Sequence, residues 1–131
     1  MVKIYLAVSS DSGVFKHWGI FLDEPQESDK IVLQVRGSDG RFRYEPESGN
    51  ARRLVGLEEL VYLFDVEDSK TGIVRAIARE LPVRSEVHGW NCQDWVLDFL
   101  EKLEEEGIVS KTDMGYEGRK DYVRGQLEGL V

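Results

Sequence analysis

"GWNCQDWVLDFLEKLEEEG", residues 89 to 107, decides how the chain is read. Within it Trp95, Phe99 and Leu103 recur every four residues with Val96 and Leu100 beside them, a wide apolar stripe at helical spacing, and Gly107 supplies a stop. The spacing predicts a helix over 92–106 that buries this stripe. Asn91 precedes it as the N-cap, because its side-chain oxygen can accept a first-turn N–H. Cys92 is the only cysteine in 131 residues, and it falls where the positive end of the helix dipole favours a thiolate and where peptide N–H groups can hold an oxyanion. Against that stands the plainer reading, in which Cys92 is a small buried hydrophobe.

Upstream of this helix the hydrophobic period changes from helical to alternating. "KIYLAV" (3–8), "HWGIFL" (17–22) and "KIVLQV" (30–35) are β-branched or aromatic runs separated by the turn-rich "SSDSG" and "DEPQESD", and they read as three antiparallel strands. "FRYE" after "GSDG" reads as the return strand of a hairpin, since Asp-Gly suits the positive φ angles of a tight turn. "LEELVYLFDV" (57–66) is divided between helix and strand, and its Val, Tyr and Phe content favours a last strand. "DSKTGIVRAIAREL" predicts a first helix, capped by Asp68 or Ser69, with Ile73, Ile77 and Leu81 on its apolar face and Pro82 ending it. "GRKDYVRGQLEGL" predicts a short terminal helix weakened by Gly125 and Gly129. The fold class is α+β, an antiparallel β-sheet packed against helices, in one domain spanning 1–131.

Composition sets the surroundings. A lone cysteine forms no internal disulfide, and with two histidines it is a poor supply for structural zinc. Asp11, Asp23 and Asp39 sit in separate turns without the ligand spacing of a calcium loop, so neither metal nor cofactor is expected. The start "MVKIYLAVSS" has no signal-peptide pattern and no apolar run nears the ~20 residues that span a bilayer, which points to a reducing cytoplasm. With 25 acidic against 17 basic residues the net charge is −8, which disfavours nucleic acid and anionic membranes as partners.

A thiolate used for acyl transfer needs a base, usually a histidine held by a third polar group. His17 opens "HWGIFL", where period-2 alternation puts His17, Gly19 and Phe21 on one face and Trp18, Ile20 and Leu22 on the other. His88 lies in a loop four residues before Cys92 and otherwise reads as a solvated loop residue. Spacing alone does not choose between them.

"HWGIFL" followed by "NCQDWVLDFL" resembles the lecithin:retinol acyltransferase and NlpC-type branch of circularly permuted papain-like folds, in which a strand-borne histidine motif precedes an "NC" motif opening a helix. It looks still closer to small fungal proteins of about this length that carry an HW…NCQDW pattern. The resemblance covers roughly residues 3 to 109. It implies Cys92 as nucleophile, His17 as general base and, on the next strand, Gln34 as the third residue. Gln34 departs from the histidine often found there: it orients an imidazole but lends it no carboxylate charge. The implied activity is thioester-forming hydrolysis or acyl transfer on a small-molecule or peptide substrate. The alternative is a catalytically inactive scaffold that binds a small molecule or protein. Trp18, Asn91, Asp94 and Trp95 surround the two motifs and are the candidate substrate-binding residues. Each has a plainer reading too, the tryptophans as core and Asp94 as a first-turn acid favoured by the dipole.

Overall fold

The computed structural model describes residues 1–10, 15–110 and 112–128. Asp11 and Gly129 lie outside them, as does most of the "SSDSG" turn. The first two runs form strands where alternation placed them, β1 (Val2–Ser9) and β2 (His17–Asp23), antiparallel with Ile4 opposite Leu22 and Ser9 opposite His17. The third run splits. Ile31–Leu33 forms β3 and pairs with β2, Leu33 opposite Ile20, whereas Val35–Arg36 forms β4 and turns away to pair with β5 (Arg43–Tyr44). That hairpin is the one expected at "GSDG", with Gly40 alone of the Asp-Gly pair taking positive φ. A short β6 (Glu47–Ser48) flanks β3, and β7 (Leu57–Val66) is indeed a strand, lying along β1. The sheet order is β6-β3-β2-β1-β7, antiparallel throughout.

Three helices follow β7 among the described residues: α1 (Thr71–Glu80), α2 (Cys92–Glu105) and α3 (Met114–Gly125). Together with the sheet they make the α+β architecture read from the periodicity. Two expectations for α1 are corrected. Its N-cap position is Lys70, which makes no side-chain cap bond. Asp68 instead meets the Met1 amine at 2.9 Å, within a short 3-10 turn. Val74 and Ala78 are the fully buried residues, Ile77 and Leu81 are partly buried against the core as expected, and Ile73 is half exposed. The terminal helix begins at Met114, capped by Asp113 through the Tyr116 N–H, and ends at Gly125. Its Tyr116 hydroxyl and Lys120 ammonium each reach Glu104 Oε2 at 2.6 Å, tying α3 to α2.

α2 is the centre of the packing. Trp95, Phe99 and Leu103 are fully buried, with Val96 and Leu100, against Trp18, Ile20 and Leu22 of β2 and Leu33 of β3. At about 25 cal/mol per Å² of apolar surface, this face supplies the main cohesion between helix and sheet. Its C-terminus closes as a Schellman motif: Ile108 N–H donates to the Leu103 carbonyl, Gly107 N–H to Glu104, and Gly107 takes the φ of +72° that the motif requires. The far side of the sheet carries a smaller cluster of Ala7, Phe21, Val32 and Ala51. No helix among the described residues is long and apolar enough to cross a membrane.

Candidate functional site

Cys92, Asn91 and Asp94 all lie in the first turn of α2 or at its cap. Asn91 is the N-cap: its Oδ1 accepts from Gln93 N–H at 2.9 Å, and Asp94 Oδ2 accepts from Asn91 N–H at 2.9 Å, a capping box. Asp94 is thus held at the cap. Cys92 follows at the first helical position, 7% exposed, its Sγ 3.9 Å from the Lys16 carbonyl oxygen. The next side chain, Gln93, is fully buried and works as a clasp. It donates to the Lys16 carbonyl at 2.9 Å and accepts from Glu128 N–H at 2.7 Å, while Lys16 N–H donates to Glu128 Oε1 at 3.1 Å. The segment entering β2 is thereby fastened to the helix start, one residue before His17.

His17 opens β2 and is 8% exposed. Its Nε2 lies 2.7 Å from Gln34 Oε1, within the break between β3 and β4. A carbonyl oxygen can only accept, so Nε2 carries the proton and Nδ1 is the lone-pair nitrogen of the neutral ring. Gly19 makes the space for this pair: a Cβ there would sit 2.5 Å from Val32 Cγ1 and 3.3 Å from Gln34 Oε1. Gln34 is almost wholly buried, and its Nε2 has no hydrogen-bond partner among the described residues; the same is true of Asn91 Nδ2. Buried amide donors left over in this way are uncommon, and they concentrate here around the start of α2.

His17, Asn91 and Cys92 line one cavity of about 420 Å³. Its apolar walls come from Phe15, Val35, Phe42 and Trp90, with Phe42 and Trp90 in edge-to-face contact at 5.9 Å. Such a size and lining suit a small organic group. Three of the four residues proposed to bind substrate do not line it: Asp94, which is engaged at the cap, Trp18 and Trp95. Trp18 and Trp95 are enclosed in the core between β2 and α2, Trp95 stacked on Phe99, because the face opposite His17 is the one that meets the helix. The aromatic wall instead comes from Phe15, Phe42 and Trp90.

His88 is largely exposed in its loop, as expected, and it also lines the cavity. Its Nδ1 lies 2.7 Å from Asp39 Oδ2, and Gly89 N–H donates to Asp39 Oδ1 at 3.0 Å. The Gly89 N–H first, and the His88 bond after it, hold the Asp39 carboxyl below the usual carboxylate range against a smaller opposing effect of burial. Residues 39 and 88 stand far apart in sequence, and only the β4–β5 hairpin brings them together. Among the described residues no cluster of three or more His, Cys, Asp or Glu side chains has a geometry able to hold a metal ion.

No curated protein and no solved structure matches the chain. A family of unknown function (DUF6540) matches residues 4–110, a span that takes in His17, Gln34, Asn91 and Cys92. By that match over most of its length, the chain belongs to the family of unknown function DUF6540.

Proposed function

We propose that the chain is a cysteine hydrolase or acyltransferase of permuted papain-like architecture, forming an acyl thioester on Cys92 from a small-molecule or peptide ester, thioester or amide. One observation carries the reading: a cysteine at the first position of a long helix and a histidine fixed through Nε2 by Gln34 line the same cavity. With Nε2 engaged, Nδ1 of His17 takes the thiol proton and the helix dipole favours the resulting thiolate. The sulfur attacks the acyl carbonyl, helix-start N–H groups, Cys92's own foremost, steady the oxyanion, and His17 returns its proton to the leaving group. Water or an amine then takes the acyl group. The walls of Phe15, Val35, Phe42 and Trp90 fit an apolar acyl part.

Gln34 favours a second reading. A neutral amide gives an imidazolium no charge to pair with, which suits a scaffold that keeps the pocket for binding and has lost the chemistry. Intact-mass analysis after exposure to short-chain activated thioesters separates the two. The enzyme reading expects one acyl group on Cys92 in the unmodified chain and none in Cys92→Ala. Absence of any adduct in the unmodified chain would favour the binding scaffold.

A further inference from the structure

The cavity holds two histidines with different supports. His17 is buried and held by a neutral amide; His88 has an 83% exposed side chain and is held by a carboxylate. Asp39 is fixed from both oxygens, Oδ1 by Gly89 N–H and Oδ2 by His88. A carboxylate accepts from Nδ1–H, which leaves Nε2 of His88 as the basic nitrogen of its neutral ring. A proton taken there creates an imidazolium beside Asp39, the charge support that Gln34 does not give His17. His88, with its exposed side chain, and Cys92, 7% exposed, line the same cavity, so one space open to solvent serves both.

We infer that His88, positioned by Asp39, is the base for the acyl acceptor in the second half-reaction, resting on the cysteine reading above. In the first half-reaction the Cys92 proton passes through His17 to the leaving group, and the acyl group is left on sulfur as a thioester. The acceptor, water or an amine, then gives a proton to His88 Nε2 while its oxygen or nitrogen bonds to the thioester carbonyl carbon. The tetrahedral intermediate collapses, the carbon–sulfur bond breaks, and Cys92 departs as thiolate. His88 releases its proton to solvent, from which the thiolate recovers one. Labour is thus divided between a buried base for the thiol and an exposed base for the acceptor.

Pre-steady-state hydrolysis of p-nitrophenyl butyrate by the full chain tests this. Nitrophenolate leaves without a proton, so the fast phase reports acylation and the steady phase reports deacylation. The unmodified chain should release about one nitrophenolate per molecule in a burst, then turn over more slowly. His88→Ala should keep the burst rate and amplitude and lose on the order of a hundredfold in the steady phase. Imidazole in the buffer should restore part of it. Asp39→Asn should keep the burst and lose less. An unchanged steady phase in His88→Ala, an equal loss of burst and steady phase, or a loss that imidazole does not relieve would overturn the role of His88 while leaving Cys92 as nucleophile. No burst and no acyl adduct in the unmodified chain would overturn the cysteine reading, and this role with it.

Discussion

The two ends of strand β2 meet the same problem, polar side chains withdrawn from water, in opposite ways. At the C-terminal end Asp23 is saturated. Lys30 donates to its Oδ1, and Arg52 donates to both of its oxygens, at 2.7 and 3.2 Å. Lys30 also reaches the Glu24 carbonyl at 2.6 Å, and Arg75 joins Glu24 to the Asp29 carbonyl. At the N-terminal end the buried side chains are neutral, His17 on Gln34 and Gln93 on the Lys16 carbonyl and the partly buried Glu128, and two buried amide donors have no partner among the described residues. One end is finished as structure; the other keeps hydrogen-bonding capacity in reserve around a cavity. Proteins depart from full polar satisfaction chiefly where they do something besides fold.

Mutation at each end should expose the contrast, and the helix that spans it sets the upper scale. Phe99→Ala, at the fully buried centre of the α2 face, should lower the unfolding free energy by about 3–5 kcal/mol in urea titrations. A loss under about 1 kcal/mol would mean that this face is not the core.

The charged end should show itself in acid. The Arg52 hydrogen bond first, opposed by burial and helped by Lys30, holds the Asp23 carboxyl below the usual range. Burial pushes Glu104 up, but Lys120 and Tyr116 together outweigh it and hold this group low as well. A carboxyl whose folded pKa is depressed contributes stability fully above its unfolded value, about 4, and loses it as pH falls through the folded value. The urea midpoint should therefore be level near neutrality and fall below about pH 4, with a smaller fall in Asp23→Asn. A midpoint flat down to pH 3 in the unmodified chain would show that these pairs contribute no net stability.

Gln34→Met should cost less stability than Phe99→Ala. It removes a buried amide that already lacks one partner and fills similar space but leaves the His17 Nε2–H without its acceptor, so the urea midpoint should fall by about 1–3 kcal/mol in equivalent free energy. Thiol alkylation near neutral pH should nevertheless slow, because His17 loses the group that fixes its ring. If stability drops sharply and alkylation is unchanged, Gln34 is structural and the two ends of β2 do not differ in kind.

How legible this was depended on how local the determinant is. β1, β2 and α2 were readable because alternation, four-residue spacing, the Asn91 cap and the Gly107 stop are properties of short windows. The break in "IVLQV" was not, because nothing in Leu-Gln-Val says that the chain leaves one sheet for another at Gln34; the hairpin partner decides it. On α1 the spacing placed Ile77 and Leu81 against the core correctly but put Ile73 there too, because Ile73 outranks Val74 and Ala78 in hydrophobicity, although the smaller pair is what is fully buried. The start of α3 was missed because Gly115 and Gly118 hid the Asp113 cap. The motifs singled out Cys92, His17 and Gln34, and the fold puts His17 on Gln34 and His17 and Cys92 on one cavity. Trp18 and Trp95 were given to the cavity though alternation and helical spacing already placed them in the core. The His88–Asp39 pair has no local signature at all.

The central claim is that Cys92 is a thiolate kept ready by His17, and the pH dependence of iodoacetamide labelling at Cys92 tests it most directly. The account predicts a labelling rate that rises well below the free-thiol pKa of about 8.5, and that moves up toward that value in His17→Ala, since the imidazolium which stabilises the thiolate is gone. A curve that follows a free thiol in the unmodified chain, and does not change in His17→Ala, would contradict it.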